Sequence, residues 1–512
     1  MPEAAVAAQR GIPTQWGKVI DHTRCIGCHA CTTACKSENE VPLSVNRTYV
    51  KYVDVGTFPE ARRAFQVTRC NQCDDPPCVT ACPTRAMHQR SDGIVDFDKS
   101  ICIGCKACIA ACPYDAIFIN PEDHSAEKCN FCAHRLDVGL EPACVVVCPT
   151  EAILIGDLNS PGSRVAELAM RGPVAVRRPE KATRPKLFYN GAHQATLDPI
   201  AARRPAGGLF MWSEQAAGPH SVVSGHPTEP NNSAAAILAH DIPHKMPWDW
   251  RVSLYTWTKG IAAGAYLVPF LLVAFNIIPA SSVLWQWVAP LVGGGFLALT
   301  GLLLIWDLEH PERFYYLFTH AQLKSWLVRG GIVISGYAGV LAAHFVGSVI
   351  ALPQLQWFLM LAGVPLALLT AVYTAYLFAQ AKARDLWQSP LLVPHLAVQA
   401  VLAGSAAVLL VAPSLAPRAF IPLVAVLAVS SLIHLLFVLG EGTMTHPTAH
   451  AKLAAWEMIR GRYARFFWVG VALVAGGVLA PWIGMAAAPL ALAGLLAHEH
   501  AYVQAGQSVP LA

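Results

Sequence analysis

All sixteen cysteines of this 512-residue chain lie between Cys25 and Cys148. They come as four groups of four with short, repeated gaps, and any fold the chain adopts must bring them together. The first group, CIGCHACTTAC, holds Cys25, Cys28, Cys31 and Cys35. The second, CNQCDDPPCVTACP, holds Cys70, Cys73, Cys78 and Cys82, and the third, CIGCKACIAACP, holds Cys102, Cys105, Cys108 and Cys112. The fourth is split, with Cys129 and Cys132 in CNFC and Cys144 and Cys148 in ACVVVCP. A proline follows the last cysteine of every group but the first, where Cys35 precedes Lys36.

The third group has the spacing of a bacterial ferredoxin run, in which three cysteines hold one [4Fe–4S] cluster and the fourth reaches to another. The reason is geometric: a short loop wraps three thiolates around one face of a cube, and the next helical turn points its cysteine away. Four groups of four therefore predict four complete [4Fe–4S] sites. A disulfide framework also uses an even number of cysteines, but it needs an oxidising compartment, against the topology read below. Structural zinc favours two CxxC pairs over triads with a trailing CxxxCP, and the split fourth group is where zinc stays open as an alternative. Gly27, Gly104 and Ala107 let the loops close tightly, and Pro83, Pro113 and Pro149 turn the chain away after the last ligand. The runs GIVDFD and AIFIN read as the short strands such a domain needs.

From about residue 250 the chain changes character, and apolar windows of about twenty residues recur. Eight membrane helices are predicted, at 252–278, 283–306, 326–349, 355–380, 391–412, 419–440, 465–485 and 486–506. The expected organisation is thus a cysteine domain over 1–159, a Pro/Gly-rich linker over 160–246 and a membrane domain over 247–512. The linker, with PNNSAAA and ARRPAGG, is too polar to span a bilayer and reads as an extended segment packed in part on the cysteine domain. The glycine run at 293–295 sits in an apolar span and reads as a helix-packing surface. A net charge of +4 without a basic stripe argues against a nucleic-acid partner. The opening MPEAAVAAQRGIPTQWGKVID has no apolar h-region and no twin-arginine pair, so no export signal is expected. On the side of the N-terminus lie Lys245, Arg251, Arg313, Lys324, Arg329, Lys382, Arg384, Lys452, Arg460, Arg462 and Arg465, against Arg418 alone on the other. That bias predicts an inner-membrane protein with the cysteine domain and both termini in the cytoplasm.

Polar residues within spans are costly and usually functional. They gather in the half nearest the cysteine domain: Tyr255, Lys259, Asp307, Tyr376, Gln380, His395, Gln399, His434, Glu441, His498, Glu499 and His500. His434 and Glu441, seven apart, share one helix face. The far half offers chiefly Tyr337 and His344. Lys259, Asp307, His434, Glu441, Tyr255 and His395 are the candidates for quinone binding and proton exchange. Asp307, Glu309 and Glu441 are also readable as helix-end charges, and Lys259 as a snorkelling side chain. His395 and His434 lie at similar depth and form the one pair able to sandwich a haem; His344 and His434 lie on opposite sides.

CNQCDDPPCVTACP and CIGCKACIAACPY resemble the four-cluster electron-transfer subunit of molybdopterin oxidoreductases of the polysulfide and dimethyl sulfoxide reductase type. KGIAAGAYL, LLLIWDLEHPERFYYLF with SWLVRGG, YTAYLFAQAKARDLWQSP and AYVQAGQSVP resemble the NrfD-like membrane subunit of polysulfide reductase and the formate-dependent nitrite reductase system. These are usually separate subunits and look fused here. The resemblance implies an α+β ferredoxin-like iron–sulfur domain of two bis-[4Fe–4S] units, followed by an all-α eight-helix transmembrane bundle. It also implies that the first group pairs with the fourth and the second with the third. Cys25, Cys28 and Cys31 would then share a cluster with Cys148, and Cys129, Cys132 and Cys144 with Cys35. Cys70, Cys73 and Cys78 would share one with Cys112, and Cys102, Cys105 and Cys108 with Cys82. It implies menaquinone or ubiquinone in the membrane half, no haem, and a molybdopterin-containing catalytic subunit as partner. Several relatives face the periplasm, and the orientation read here departs from theirs. No substrate-oxidising site is visible in the chain, so it is not a complete enzyme alone. The expected function is electron transfer through four clusters between that partner and the quinone pool. A proton-translocating module resembling alternative complex III and a non-catalytic redox sensor or scaffold are the rivals.

Overall fold

A computed structural model describes residues 13–203 and 236–512. Residues 1–12 of the segment read for an export signal and much of the linker, including most of ARRPAGG and PNNSAAA, lie outside the described residues. Strand β1 (Trp16–Asp21) enters the cysteine domain, and β8 (Ile153–Asp157) leaves it. The two pair antiparallel, with Trp16 opposite Asp157 and Lys18 opposite Ile155, so the start of the first cysteine group lies beside the end of the fourth. Between them, β2 (Thr48–Val55) and β3 (Arg62–Arg69) form a long hairpin. β4 (Met87–Gln89) pairs with β5 (Val95–Phe97), and β6 (Ile117–Ile119) with β7 (Ala126–Lys128). GIVDFD and AIFIN supply β5 and β6, as their alternation predicts.

The stretch after 159 is not simply a linker. β9 (Val174–Ala175) and β10 (Leu187–Asn190) complete a sheet in the order β8-β1-β10-β9, with β10 parallel to β1. β11 (Ile237–His240) adds to the edge of β2. Leu187 and Tyr189 are fully buried in this sheet. A four-residue strand paired with one nearly 170 positions away leaves almost no periodic signal, and the polar composition around it read as loop.

The longest helices of the membrane half are α1 (Trp250–Ala274), α2 (Ala289–Trp306), α3 (Trp326–Val349), α4 (Pro353–Gln380), α5 (Leu392–Leu409), α6 (Phe420–Thr443), α7 (Ala464–Val478) and α8 (Ala487–Gln507). Among the described residues, seven helices are long and apolar enough to cross a membrane, one fewer than predicted. The exception is the expected span 465–485. Its helix α7 has 15 residues, about 22 Å of rise against a hydrocarbon core of about 30 Å. A break at Leu479, Pro481 at the start of the next turn and a left-handed Gly484 end it early. Small residues let the other helices pack closely. Gly264 of α1 lies directly against Ala400 and Gly404 of α5, leaving no room for a Cβ at either glycine. In the run 293–295 only Gly293 meets a neighbouring helix, at Ala262 and Leu341; Gly294 and Gly295 have open space beside them.

Candidate functional site

The four cysteine loops share one backbone device. The second residue after the first cysteine of each group is left-handed: Gly27 (φ 69°), Gln72 (φ 48°), Gly104 (φ 66°) and Phe131 (φ 59°). Such a reversal turns successive N–H groups inward, a concavity that suits an anionic group or cluster. Backbone N–H groups then reach the sulfurs: Gln72 N donates to Cys70 Sγ (3.4 Å), Met87 N to Cys82 Sγ (3.3 Å), Ala126 N to Cys102 Sγ (3.4 Å) and Ala152 N to Cys148 Sγ (3.2 Å). None of the sixteen cysteines is joined to another in a disulfide.

Helix packing sorts the cysteines into four sets. The helix Ala30–Glu38 packs on Ala143–Val146, and Pro77–Ala81 packs on Ala107–Ala111. Cys25, Cys28, Cys31 and Cys148 line one cavity of about 340 Å³, and Cys82, Cys102, Cys105 and Cys108 line another of about 360 Å³. Cys112 stands with Cys70, Cys73 and Cys78. Cys35 stands with Cys129, Cys132 and Cys144, and Asn39 Nδ2 lies 3.7 Å from both Cys35 Sγ and Cys132 Sγ. Burial pushes the thiols of Cys31 and Cys112 up to about 11 and that of Cys73 to about 12. Thiols held that high are poor nucleophiles and suit ligands whose proton leaves when metal binds. Cys144 differs. Burial again raises it, but Lys18 (Nζ 3.6 Å from Sγ) and Arg69 (Nη1 3.0 Å) outweigh burial and bring it down to about 7. Four sulfurs per set, backbone donors and buried walls fit [4Fe–4S] clusters in each place.

The set Cys82, Cys102, Cys105 and Cys108 faces the membrane half, and the loop from α2 to α3 fastens it there. Arg313 Nη1 donates to Lys99 O and Cys102 O (3.1 and 3.0 Å), His310 Nε2 to Asp123 O (2.9 Å), and Ser325 Oγ to Ala81 O (2.8 Å). Gln322 Nε2 donates to Val79 O and Cys82 O (both 2.7 Å), at the C-terminal end of the short helix Pro77–Ala81. Lys106, between Cys105 and Cys108, pairs with Glu309 (3.0 Å) and Asp307 (3.6 Å). Asp307 is therefore a docking residue. Burial holds its carboxyl up at about 6, against Lys106 and Arg251.

A second fastening lies at the entry to α1. His244 Nδ1 is 2.6 Å from Asp115, just after the third group, and Nε2 is 3.1 Å from Asp241. Burial alone would lower this imidazole, but Asp241 and Asp115 outweigh it and hold it near 9, above the ordinary 6.5. The stabilisation is thus fully present below about pH 6.5 and is lost as pH rises through 9. Its size is about 3 kcal/mol, from roughly 1.4 kcal/mol per unit. The melting temperature of the detergent-solubilised protein is expected to fall between pH 7 and 10, and His244→Gln to flatten that slope. An equal slope in both proteins would disprove the assignment.

Within the membrane half a cavity of about 340 Å³ opens between α1, α4, α5 and α8. Thr256, Thr374, Phe378, His395, Gln399 and Glu499 are among its lining residues, with Tyr502. The structure gathers most of the predicted polar residues around it. Lys259 is 1% exposed and does not snorkel; its Nζ donates to Ala371 O (2.8 Å) and Thr374 Oγ1 (2.6 Å). Tyr255 is buried beside Thr374 and Tyr373, and Glu441 beside Tyr502. His434 lies behind His395, with Nδ1 2.9 Å from His395 Nε2, too close for a porphyrin between them. Sequence reasoning missed Phe378, Thr256 and Tyr502. Phe378 stands one turn after Thr374, and Tyr502 one turn after His498, a spacing that places each pair on one face. It also missed Trp248, whose Nε1 donates to Cys105 O (3.2 Å). Trp248, Phe378 and Trp387 stack on one another with ring centroids 4.4 to 6.0 Å apart, so an aromatic group runs from the cysteine loop to the cavity wall.

Comparison with known proteins agrees with both halves. A 4Fe-4S dicluster domain family matches residues 62–158, and the family "Polysulphide reductase, NrfD" matches residues 240–507. A tetrathionate reductase subunit of Salmonella typhimurium is 43% identical over 205 residues, covering 39% of this chain and 80% of that protein. A polysulfide reductase polypeptide of Wolinella succinogenes is 42% identical over 177 residues, covering 34% of this chain and 93% of that protein. Protein NrfC of Escherichia coli is 41% identical over 177 residues, covering 34% of this chain and 79% of that protein. With a [4Fe–4S] ferredoxin-like domain similar to those reductase subunits joined to a matched bundle of membrane-crossing helices, the chain belongs to the NrfD polysulphide reductase family as a fused, multi-pass iron–sulfur member.

Proposed function

We propose that this chain carries electrons between a catalytic reductase subunit and the membrane quinone pool. The observation that carries the reading is the contact of the Cys82, Cys102, Cys105 and Cys108 set with the membrane half, where Trp248 and Phe378 connect its loop to a buried polar cavity. When bound, four [4Fe–4S] clusters supply one-electron carriers at spacings a protein can tune. The chain's own residues hold them in the four sets above, with the Cys82 set last before the membrane. Lys18 and Arg69 place positive charge at Cys144. Arg69→Leu is expected to shift the midpoint of the cluster held by Cys35, Cys129, Cys132 and Cys144 to more negative potential; an unmoved midpoint in an EPR-monitored redox titration would contradict this.

In the cavity, His395, Gln399, Glu499 and Tyr502 orient a quinone ring and exchange its protons, with Lys259, Tyr255, His434 and Glu441 behind them. The head group is of menaquinone or ubiquinone type. The catalytic partner is of the molybdopterin class, consistent with relatives named as parts of tetrathionate and polysulfide reductases. The iron–sulfur domain lies on the cytoplasmic side. Two of the eleven basic residues behind that reading, Arg313 and Lys382, engage the iron–sulfur domain, and the excess over Arg418 persists without them. Leu396→Trp, which pushes bulk into the cavity, tests the quinone reading. Quinone-dependent reoxidation of reduced clusters is expected to stop while iron is retained, and normal reoxidation would defeat it.

One observation favours the proton-translocating reading as second. On the far side, Tyr266, Trp285 and His344 are buried in mutual ring contact at 4.6 to 5.6 Å. The Tyr266 hydroxyl, Trp285 Nε1 and both His344 nitrogens have no hydrogen-bond partner among the described residues, so water or a proton path fits there. An uncoupler-sensitive pH change in proteoliposomes during quinone turnover would support it; none would dismiss it.

A further inference from the structure

Three imidazoles from three different helices converge in the membrane interior. His395 of α5, His434 of α6 and His498 of α8 are 1%, 1% and 2% exposed. One nitrogen of each lies within 4.8 Å of the others, and ring centroids are 4.8, 4.8 and 5.6 Å apart. We propose that His395, His434 and His498 form a binding site for a single transition-metal ion of the zinc class.

The donor chemistry selects the ion. Three neutral imidazoles suit zinc and its neighbours, whereas calcium and magnesium need oxygen ligands. Zinc–nitrogen bonds of about 2.0–2.1 Å in tetrahedral geometry put ligand nitrogens about 3.3 Å apart. The nitrogens here lie within 4.8 Å of one another, with His395 and His434 at 2.9 Å, so binding calls for small ring movements. Little is lost in doing so: the His395–His434 hydrogen bond and a 3.4 Å contact from Gln399 to His395. His498 Nδ1 is buried and has no hydrogen-bond partner among the described residues. A relay between two histidines would use the His395–His434 bond and leave His498 unexplained. Three convergent nitrogens are what a three-histidine centre with one open position presents. His395 and His498 both line the cavity, so the open position faces it. Glu499, next to His498 in the chain, lies at the same cavity, where Thr256 donates to it. With the ion bound, His395 and His434 serve as its ligands and proton exchange with a quinone falls to Glu499 and Tyr502; the inference does not rest on the quinone reading, because the ion is measured without quinone or turnover.

The test uses the full-length detergent-solubilised protein with its clusters intact. It is loaded with zinc chloride, passed through a desalting column containing a weak chelator and analysed for zinc and iron. One zinc per chain is expected to remain. Zinc-edge X-ray absorption is expected to show three nitrogen neighbours at about 2.0 Å and no sulfur. His434→Ala and His498→Ala are expected to weaken zinc binding at least about 100-fold, more than loss of an outer-shell partner costs. His344→Ala, in the far-side cluster, should retain zinc, and iron should be unchanged in all. No retained zinc, sulfur neighbours, or equal retention by His434→Ala would overturn the proposal. Should the variants fail to fold, the absorption spectrum of the unaltered protein decides alone.

Discussion

Cys82→Ala is expected to destroy the cluster held by Cys102, Cys105 and Cys108 and to leave the one held by Cys70, Cys73, Cys78 and Cys112 in place. Cys82 belongs to the second group in sequence, but its sulfur lines the cavity of the third. Met87 N donates to that sulfur, and Gln322 holds the carbonyl of the same residue from the membrane side. The affected cluster is the one against the membrane half. Quinone-dependent reoxidation of the remaining clusters should therefore fall by at least about 100-fold, on the order of 3 kcal/mol of added barrier. EPR of the reduced protein counts the clusters, and stopped-flow with a soluble quinone measures the rate. Loss of the second group's own cluster instead would refute the pairing, and a normal rate would refute the placement.

Lys106→Met should separate the two halves of the molecule without touching a ligand. Lys106 is 7% exposed and left-handed (φ 60°). Its Nζ faces Glu309 and Asp307 and donates to Asp307 O at 3.1 Å. Removing one partner of a buried charge network leaves the others uncompensated, typically at about 3–5 kcal/mol. Arg251, 3.7 Å from Asp307, compensates part of that loss. Neighbouring Gly104 faces the Glu309 side chain so closely that an added Cβ would collide with it, at a backbone angle (φ 66°) that favours glycine. Gly104→Ala should therefore repeat the effect by a different route. Hydrogen exchange across residues 307–325 is the readout. Faster exchange in both variants with iron retained is expected, and unchanged exchange in both would show that this contact does not hold the halves together.

Much of the candidate site was legible in the sequence, because its chemistry is local. Ligand spacing within a loop depends on a few consecutive dihedral angles, so CIGCKACIAACP states its own geometry. Membrane spans are legible for a similar reason, since each is a sum of transfer energies over about twenty neighbours. That sum overlooks interruptions, and 465–485 passed as a span although Pro481 and Gly484 cut its helix short. The polar residues of the spans stood out in the sequence but could not be sorted there. Asp307 and Lys259 look alike on a hydropathy scale. One is held by Lys106 at the contact with the iron–sulfur domain, and the other donates to Ala371 and Thr374 beside the membrane cavity. The strands in the stretch after 159 were not legible because β10 gains its stability from β1 and not from its own pattern.

The sequence by itself determined that the cysteine loops would form a [4Fe–4S] domain and that the rest of the chain would enter a membrane. Short-range spacing and summed apolarity are enough for both. Only the tertiary structure decided which set of cysteines meets the membrane, that Trp248 and Phe378 join it to a cavity, and that three histidines from three helices converge. Those arrangements depend on side chains separated by tens to hundreds of residues coming within a few ångströms. That closeness arises from helix packing around small residues such as Gly264 and Gly404, and no local pattern carries it.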